Sequence, residues 1–168
     1  MKIGIIVIFR NNVDEIDVEA ISKNLNFLGD MVVCLVDNKS TDGTLKKLKE
    51  IRDNLKGVEL IEIKKKSSLE TSKRAGARFM YSNHNLDHLG FIDSDSVNSE
   101  NLNINEVISL VFNSKYVILD LKKELKRQPA KRYTLFKSIF SVLDFLKQNH
   151  LTISFENKFL PAAEKRKI

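Results

Sequence analysis

The sequence has one cysteine, no apolar run long enough to cross a membrane, and no internal repeat. The single Cys34 cannot form an internal disulfide, which fits a reducing compartment. Its place inside an apolar run indicates a small buried side chain. The apolar opening, residues 1–12, is too short for a transmembrane helix or a secretory signal. We therefore expect a soluble, cytoplasmic protein, with peripheral attachment to a membrane as an alternative.

Basic residues outnumber acidic ones, and the formal net charge is +6. This excess favours an anionic partner such as phosphate, nucleic acid or acidic lipid, although lysine is also an ordinary filler of protein surfaces. The chain carries no recognised DNA- or RNA-binding motif, so we expect no nucleic-acid partner. Its 168 residues are enough for one domain with a proper core.

Short apolar runs alternate with stretches of helical spacing along the first 121 residues. The runs predict strands at 3–9, 31–36, 58–63, 89–92 and 116–121. The stretches between them predict helices at 18–28, 45–55, 70–81 and 104–112. Strands that alternate with helices predict an α/β fold, in which a mostly parallel, Rossmann-like sheet of about five strands carries helices on both faces.

The alternation of apolar runs and helical spacing ends at residue 121. Residues 122–132 are basic and contain a proline, which indicates a loop or linker. Residues 133–148 predict a strongly apolar helix, and residues 157–168 predict a loose basic tail. A helix that is apolar nearly all round usually packs on its own domain or a second copy, whereas its flanking basic residues would also suit a membrane surface. We therefore expect one domain at 1–121 and a C-terminal segment at 122–168, packed on that domain or on a partner.

Polar clusters follow three of the predicted strands. They are Arg10-Asn11-Asn12, Asp37 to Thr44, and Asp93-Ser94-Asp95. Ligands of open α/β sheets bind at the carboxyl ends of the strands. We therefore expect the three clusters to converge on a single crevice.

The second cluster carries more polar groups than a turn requires. A helix cap explains Thr41 or Asp42, because short polar side chains accept backbone N–H groups at helix starts. Gly43 allows a tight turn. A cap does not explain Asp37, which follows a buried strand directly and can accept hydrogen bonds from N–H or O–H groups of a ligand.

The third cluster places two carboxylates one residue apart. Asp93 and Asp95 repel each other unless a positive charge neutralises them. Mg²⁺ is usually held by one or two carboxylates together with substrate phosphates, so the pair predicts half of a metal site that a diphosphate completes. The alternative is a pair of solvated residues in a turn.

Four segments together resemble family 2 glycosyltransferases in order and approximate spacing. They are KIGIIVIFRNN, VVCLVDNKSTDGT, SSLETSKRAGARFM and LGFIDSDS, which begin at residues 2, 32, 67 and 89. Residues 1–120 resemble the nucleotide-sugar-binding half of that GT-A fold. The resemblance implies inverting, metal-dependent transfer of a sugar from a nucleotide diphosphate sugar, a UDP-sugar in particular, to an unknown saccharide or lipid-linked saccharide.

The resemblance also implies roles for individual residues. The nucleotide-binding residues would be Phe9, Arg10, Asn11, Asp37, Asn38, Lys73, Arg74 and Asp93. Among them Asp37 would hydrogen-bond the base and Asp93 would approach the ribose or the metal. Asp95, with Asp93, would ligate Mg²⁺ or Mn²⁺.

The sequence departs from the family pattern in places. The first segment lacks the usual proline and aromatic before its asparagine, and the third lacks its first glycine. No Glu-Asp pair follows Asp95, so the catalytic base stays unassigned among Asp120, Glu124, Asp144, Glu156 and Glu164. A short or missing acceptor half leaves a second hypothesis open, in which the chain is a non-catalytic nucleotide-sugar-binding or interaction module.

Overall fold

The computed structural model describes residues 1–26, 28–127 and 139–149. Within these ranges the strands are β1 (Ile3–Phe9), β2 (Met31–Asn38), β3 (Val58–Ile63), β4 (His88–Asp93) and β5 (Ile139–Ser141). The helices are α1 (Val18–Leu25), α2 (Thr44–Asn54), α3 (Leu69–Asn83), α4 (Ser94–Ser99), α5 (Ile104–Asn113), α6 (Lys115–Arg127) and α7 (Val142–Gln148). All strand pairs are parallel, and the order across the sheet is β3-β2-β1-β4-β5.

The predicted α/β fold, a parallel sheet of five strands with helices on both faces, is confirmed. β1 and β3 begin and end where their apolar runs predict. β1 is buried along its whole length, because a central strand of a parallel sheet is covered on both faces. β2 continues past residue 36 to Asn38, so Asp37 is part of the strand and not of the loop after it.

The predicted fifth strand at 116–121 is wrong, because this segment lies inside α6. Val117, Leu121 and Leu125 are buried at a spacing of four residues, whereas Tyr116 is 79% and Leu119 52% exposed. That spacing is helical, and it outweighed the β-branched composition of the segment. The first six residues of the loop predicted at 122–132 also belong to α6.

The fifth strand of the sheet comes from the segment predicted as a helix at 133–148. Residues 139–141 form β5 and pair with Leu89 to Phe91, and only α7 confirms the helix. Residues 128–138 and 150–168, with the predicted tail, lie outside the described residues. In the described ranges no helix is long and apolar enough to cross a membrane. The division of the chain at residue 121 stays a prediction.

The core has two layers, one on each face of the sheet. Ile3, Ile5 and Val7 of β1 belong to the larger layer, which includes residues of α1, α2, α5, α6 and α7. Ile6 and Ile8 point to the other face, where they pack with α3. Cys34 lies in this second layer, and its burial raises the pKa of the thiol to about 12, as expected for a structural cysteine.

The sheet changes its direction of winding at β1. β2 and β3 lie on one side of it, and β4 and β5 lie on the other. Ligands of such sheets bind in the crevice at this switch point, outside the carboxyl ends of the strands. The fold therefore brings the ends of β1, β2 and β4 to one edge, where the polar clusters lie.

Candidate functional site

The side chain of Asn12 joins the exits of β1 and β4. It is only 3% exposed, and its Oδ1 accepts a hydrogen bond from Ser94 Oγ at 2.7 Å. The same oxygen accepts the backbone N–H of Arg10 at 2.7 Å, and Nδ2 donates to Glu15 Oε2 at 2.9 Å. One buried amide therefore holds the loop after β1 against the start of α4, across the switch point.

A second set of hydrogen bonds joins the exits of β1 and β2. The backbone N–H of Asn12 donates to Thr44 Oγ1 at 2.8 Å, and that of Asn11 donates to Ser40 Oγ at 3.0 Å. Asn11 Oδ1 in turn accepts the N–H of Thr41 at 2.9 Å. Asn11 holds a left-handed backbone with φ of 53°, a conformation that asparagine tolerates better than most residues. These hydrogen bonds and those of the Asn12 side chain join the three exits, whereas a single crevice between them stays a prediction.

Asp42 fixes the turn before α2. Its carboxylate accepts the N–H of Val13 at 3.0 Å and that of Thr44 at 3.0 Å. Partial burial works to raise the pKa of Asp42, but these hydrogen bonds to the ionised form outweigh it and lower the pKa. Gly43, with φ of 98°, makes the tight turn that its position predicted. The polar excess of residues 37–44 is thus partly structural.

Asp37 retains one acceptor that the fold leaves unused. The residue is 1% exposed, and its Oδ2 accepts the N–H of Ser40 at 3.2 Å. Oδ1 is buried and has no hydrogen-bond partner among the described residues. An unpaired buried acceptor costs about 1–3 kcal/mol. Asp37 Oδ1 can therefore accept a hydrogen bond from a ligand, since no described residue donates one to it.

Asn38 has a structural role in the described chain. Its amide donates to Ser67 O at 2.9 Å, and its Oδ1 accepts from the N–H and the hydroxyl of Ser67 at 3.1 and 3.0 Å. These bonds hold the loop before α3 against the end of β2. The predicted contact of the Asn38 side chain with a nucleotide would require breaking them.

Asp93 caps a helix that the sequence did not predict. The sequence predicts no helix at residues 93–96, but α4 begins at Ser94. Asp93 Oδ2 accepts the N–H of Ser96 at 3.0 Å and its hydroxyl at 2.6 Å. A capping aspartate starts the helix directly after the strand, which is why the polar stretch is not a loop.

Asp95 is exposed in the first turn of α4, two residues after this cap, and two other carboxylates act on it. Partial desolvation, followed by the negative charges of Asp93 and Glu15, raises the pKa of Asp95, and Arg10 opposes the rise. Arg10 therefore lies close enough to Asp95 to act on the exit of β4. Carboxylates held together in this way favour a cation as their neighbour.

The donor set at this point fits one hard divalent cation with a diphosphate. Within the described ranges no group of three or more histidine, cysteine or acidic residues could hold a metal by itself. Asp93 and Asp95 are two carboxylates, and Mg²⁺ commonly takes one or two of these together with phosphate oxygens. The residues present fit a metal that is shared with its substrate.

Asp37 and Asp93 do not line one compact cavity. Phe9 is paired with Asp37, and Ile8 is paired with Asp93, across the two sides of β1. Because consecutive residues of a strand point to opposite faces, the two carboxylates leave the sheet on opposite faces, roughly 10 Å apart over two strand spacings. The arrangement suits an elongated ligand that lies across the strand ends.

The other residues predicted to contact the nucleotide differ in burial and in their contacts. Phe9 is fully buried in the core, so its side chain does not line the crevice. The Lys73 ammonium lies 4.6 Å from the centre of the Phe91 ring and 2.7 Å from Glu70. Arg74 reaches the same glutamate at 3.5 Å on the surface of α3. Lys73 therefore lies against Phe91, two residues before the end of β4.

A cavity of about 250 Å³ opens beside Asp93, between β4, α4 and α7. Its apolar wall includes Phe91 and its polar wall includes Asp144. Of the five candidate bases, Asp144 thus shares a cavity with Asp93. Asp120 and Glu124 lie on α6, and Glu156 and Glu164 lie outside the described residues.

Comparison with known sequences decides the family. The sequence model of Glycosyl transferase family 2 matches residues 5–157. The chain belongs to this glycosyltransferase family. The match confirms the resemblance seen in the motifs, and it continues beyond residue 121 through β5 and α7. A search of curated proteins found no match.

Solved glycosyltransferase structures are similar over part of the chain. TarS 1–349 from S. aureus in complex with UDP is 22% identical, with a TM-score of 0.45, 56% of this chain and 28% of that chain covered. The same protein in complex with UDP-GlcNAc is 20% identical, with a TM-score of 0.43 and coverages of 60% and 30%. The mannosyltransferase PcManGT from Pyrobaculum calidifontis, in complex with GDP-Man and Mn²⁺, is 20% identical, with a TM-score of 0.36 and coverages of 47% and 24%. The aligned part of this chain spans less than a third of each of these proteins.

Sequence reasoning missed three residues that shape the site. Asn12 and Ser94 were noted in the first and third clusters but were given no role, and Glu15 was not considered. The available signal for Asn12 was that it is the second of two adjacent asparagines in the loop after a buried strand. Its partner Ser94 lies 82 residues away, and no local pattern identifies such a pair.

We expect Asn12→Ala to lower the free energy of unfolding by roughly 2–4 kcal/mol, because the variant leaves Ser94 and the Arg10 N–H buried without their acceptor. Denaturant unfolding monitored by circular dichroism measures the change. Asn113→Ala is the matched control, since the exposed Asn113 amide donates to Asn24 alone. Equal losses in the two variants would contradict the role of Asn12.

We also expect Asp95→Asn to raise the melting temperature slightly at neutral pH, by about 1–2 °C for an exposed group. The raised pKa means that the folded chain disfavours the ionised form of Asp95. At neutral pH the ionised Asp95 therefore lowers the free energy of unfolding, which is a cost in stability. It disappears as the pH falls through the raised pKa toward the ordinary value of 3.8. Melting curves recorded without metal across this range, with Asp14→Asn as control, measure the difference. A lower melting temperature at neutral pH would contradict the repulsion.

Proposed function

We propose that the chain binds a nucleotide diphosphate sugar, a UDP-sugar in particular, across the ends of β1, β2 and β4. It transfers the sugar with inversion to a hydroxyl of a saccharide or a lipid-linked saccharide. Membership of the glycosyltransferase family supports this reaction class. The meeting of three polar strand exits at the switch point supports the location.

The unpaired oxygen of Asp37 is the observation that carries the proposal. Buried polar atoms are usually hydrogen-bonded, and this carboxylate oxygen has no partner among the described residues. A nucleotide base could donate an N–H group to it. Asp37 lies on one side of β1, and Asp93 and Asp95 belong to the strand exit on the other side. A nucleoside diphosphate is long enough to reach from the first to the second, with its base at Asp37 and its phosphates at the aspartate pair.

The charges at the exit of β4 support the proposed handling of the diphosphate. Asp95 and Asp93 would hold Mg²⁺ or Mn²⁺, which would stabilise the charge that develops on the leaving diphosphate. Arg10 lies close enough to influence Asp95 electrostatically, so its guanidinium is available near the same phosphates. Asn12 keeps these groups in register by fixing Arg10 and Ser94 together. Such fixed charges contribute to catalysis because they need no reorganisation during the reaction.

A non-catalytic nucleotide-sugar-binding module is the second candidate. The missing Glu-Asp pair after Asp95 favours it, since the resemblance implies a base beyond Asp95 that is often part of such a pair. This module would bind the same donor through Asp37 and the aspartate pair. Measured turnover of a nucleotide sugar separates the two candidates.

We expect Asp37→Asn to weaken UDP binding in the presence of Mn²⁺ by about tenfold to a hundredfold, the loss that a hydrogen bond to a charged acceptor produces. The asparagine oxygen still accepts the Ser40 N–H, so the melting temperature stays close to that of the wild type. Isothermal titration calorimetry measures the affinity, with Asp53→Asn at the far end of α2 as control.

Two results would contradict the proposal. One is an Asp37→Asn variant that binds UDP as tightly as the control. The other is a wild-type chain that binds neither UDP nor GDP, with or without Mn²⁺. Weak binding that is equal in the variant and in the wild type would likewise remove Asp37 from the site.

A further inference from the structure

Asp144 borders two cavities that lie on either side of the start of α7. The first is the cavity of about 250 Å³ that Asp93 also lines. The second, of about 260 Å³, lies between α6 and α7 and is lined by Glu124 and Gln148 among others. Ser141 and Asp144 line both cavities. A group at this point can reach one molecule on each side.

Asp144 is the uncommitted carboxylate of the first cavity. Three carboxylates line that cavity, those of Asp93, Glu100 and Asp144. Asp93 caps α4 through Ser96, and Glu100 forms an ion pair with Lys147. Among the described residues, the carboxylate of Asp144 makes no hydrogen bond or ion pair. Its acceptor capacity is therefore available to a ligand.

The backbone that carries Asp144 is held firmly. Ser141 is paired with Phe91 of β4, and its hydroxyl accepts the N–H of Asp144 at 3.2 Å. Leu143 and Phe145 on either side of Asp144 are buried in the core. β5 lies next to the strand that ends at Asp93, about 5 Å away in the sheet. The backbone of Asp144 is consequently held beside the cavity that Asp93 also lines.

We propose that Asp144 is the general base of the sugar transfer and that the acceptor enters through the cavity between α6 and α7. This inference rests on the proposed function. The donor's sugar occupies the cavity beside Asp93. Asp144 takes the proton of the acceptor hydroxyl while that oxygen bonds to the anomeric carbon. The bond from the anomeric carbon to the diphosphate oxygen breaks, and its electron pair leaves with the diphosphate.

The lining of the second cavity indicates the chemistry of the acceptor. Glu124 and Asp144 contribute negative charge, and no lysine or arginine is among the described residues that line it. An anionic acceptor would therefore be repelled. Gln148, Ser141 and the carboxylates offer hydrogen bonds, and Phe140 offers an aromatic surface. The acceptor that fits is a neutral, hydroxyl-rich saccharide unit.

The test measures nucleotide binding and turnover separately in the full chain. UDP-glucose, UDP-galactose, UDP-GlcNAc and GDP-mannose serve as donor probes with Mn²⁺, and water serves as the acceptor, so that release of UDP or GDP reports turnover. Asp144→Asn and Asp144→Glu are compared with Asp120→Asn, an exposed carboxylate of α6 that borders neither cavity. Calorimetry gives the affinity for the nucleoside diphosphate in each variant.

We expect Asp144→Asn to lower kcat at least about a hundredfold, the usual effect of removing a general base. The affinity for the nucleoside diphosphate stays within twofold of the wild type, Asp144→Glu recovers part of the rate, and Asp120→Asn behaves as the wild type. The acidic limb of the pH–rate profile is absent in Asp144→Asn, which a merely structural role would not produce.

Three results would overturn this inference. In the first, Asp144→Asn keeps the turnover of the control. In the second, both Asp144 variants lose nucleotide affinity together with rate, which assigns Asp144 a structural role. In the third, the wild type binds the nucleotide but turns over none of the probes, so nucleotide binding survives and the role of Asp144 fails. A wild type without any nucleotide binding removes the proposed function itself, and calorimetry alone reveals that case.

Discussion

The buried amide of Asn12 is the constraint on which the site depends. Its Oδ1 accepts from Ser94 and from the Arg10 backbone, and the backbone N–H of Asn12 donates to Thr44, so one residue touches the loops after β1, β2 and β4. These loops are far apart in the chain, and Asn11 adds hydrogen bonds with Ser40 and Thr41 between the loops after β1 and β2. Because an unpaired buried amide is costly, the three exits can only separate together with this network. The fold thus obtains a rigid edge at the switch point, where a parallel sheet offers a crevice.

Two features at this edge are unfavourable in the protein alone and become favourable with a ligand. Asp37 keeps a buried oxygen without a partner, and Asp95 is ionised next to other carboxylates. Both features would be removed by selection for stability alone, since replacing either group with a neutral one relieves a cost. Their position on opposite sides of β1 matches a ligand with a donor group at one end and a cation-binding diphosphate at the other. Under the proposed function, ligand binding offsets these two costs.

Much of the fold was predictable because its signals are local. The apolar runs of β1 and β3, and the polar residues after β1, β2 and β4, reflect burial within each strand and its end. The wrong predictions fall where contacts between distant parts of the chain decide the secondary structure. Residues 116–121 carry a β-branched composition, but Val117 and Leu121 pack at helical spacing. β5 has only three residues, and its pairing with β4 defines it as a strand. The roles of Asn12 and Ser94 likewise depend on a contact between distant residues.

The central claim is that three strand exits form a single site for a diphosphate and its metal. Paramagnetic broadening of backbone amide signals by Mn²⁺, in the presence and absence of UDP, tests it most directly. The account predicts that UDP and Mn²⁺ together broaden the amides of residues 10–12, 38–42 and 94–96. Those of Asp30, Gly57 and Asp87, at the opposite edge of the sheet, keep their intensity. Broadening that is independent of UDP, or that spares the exits of β1 and β4, would contradict the account.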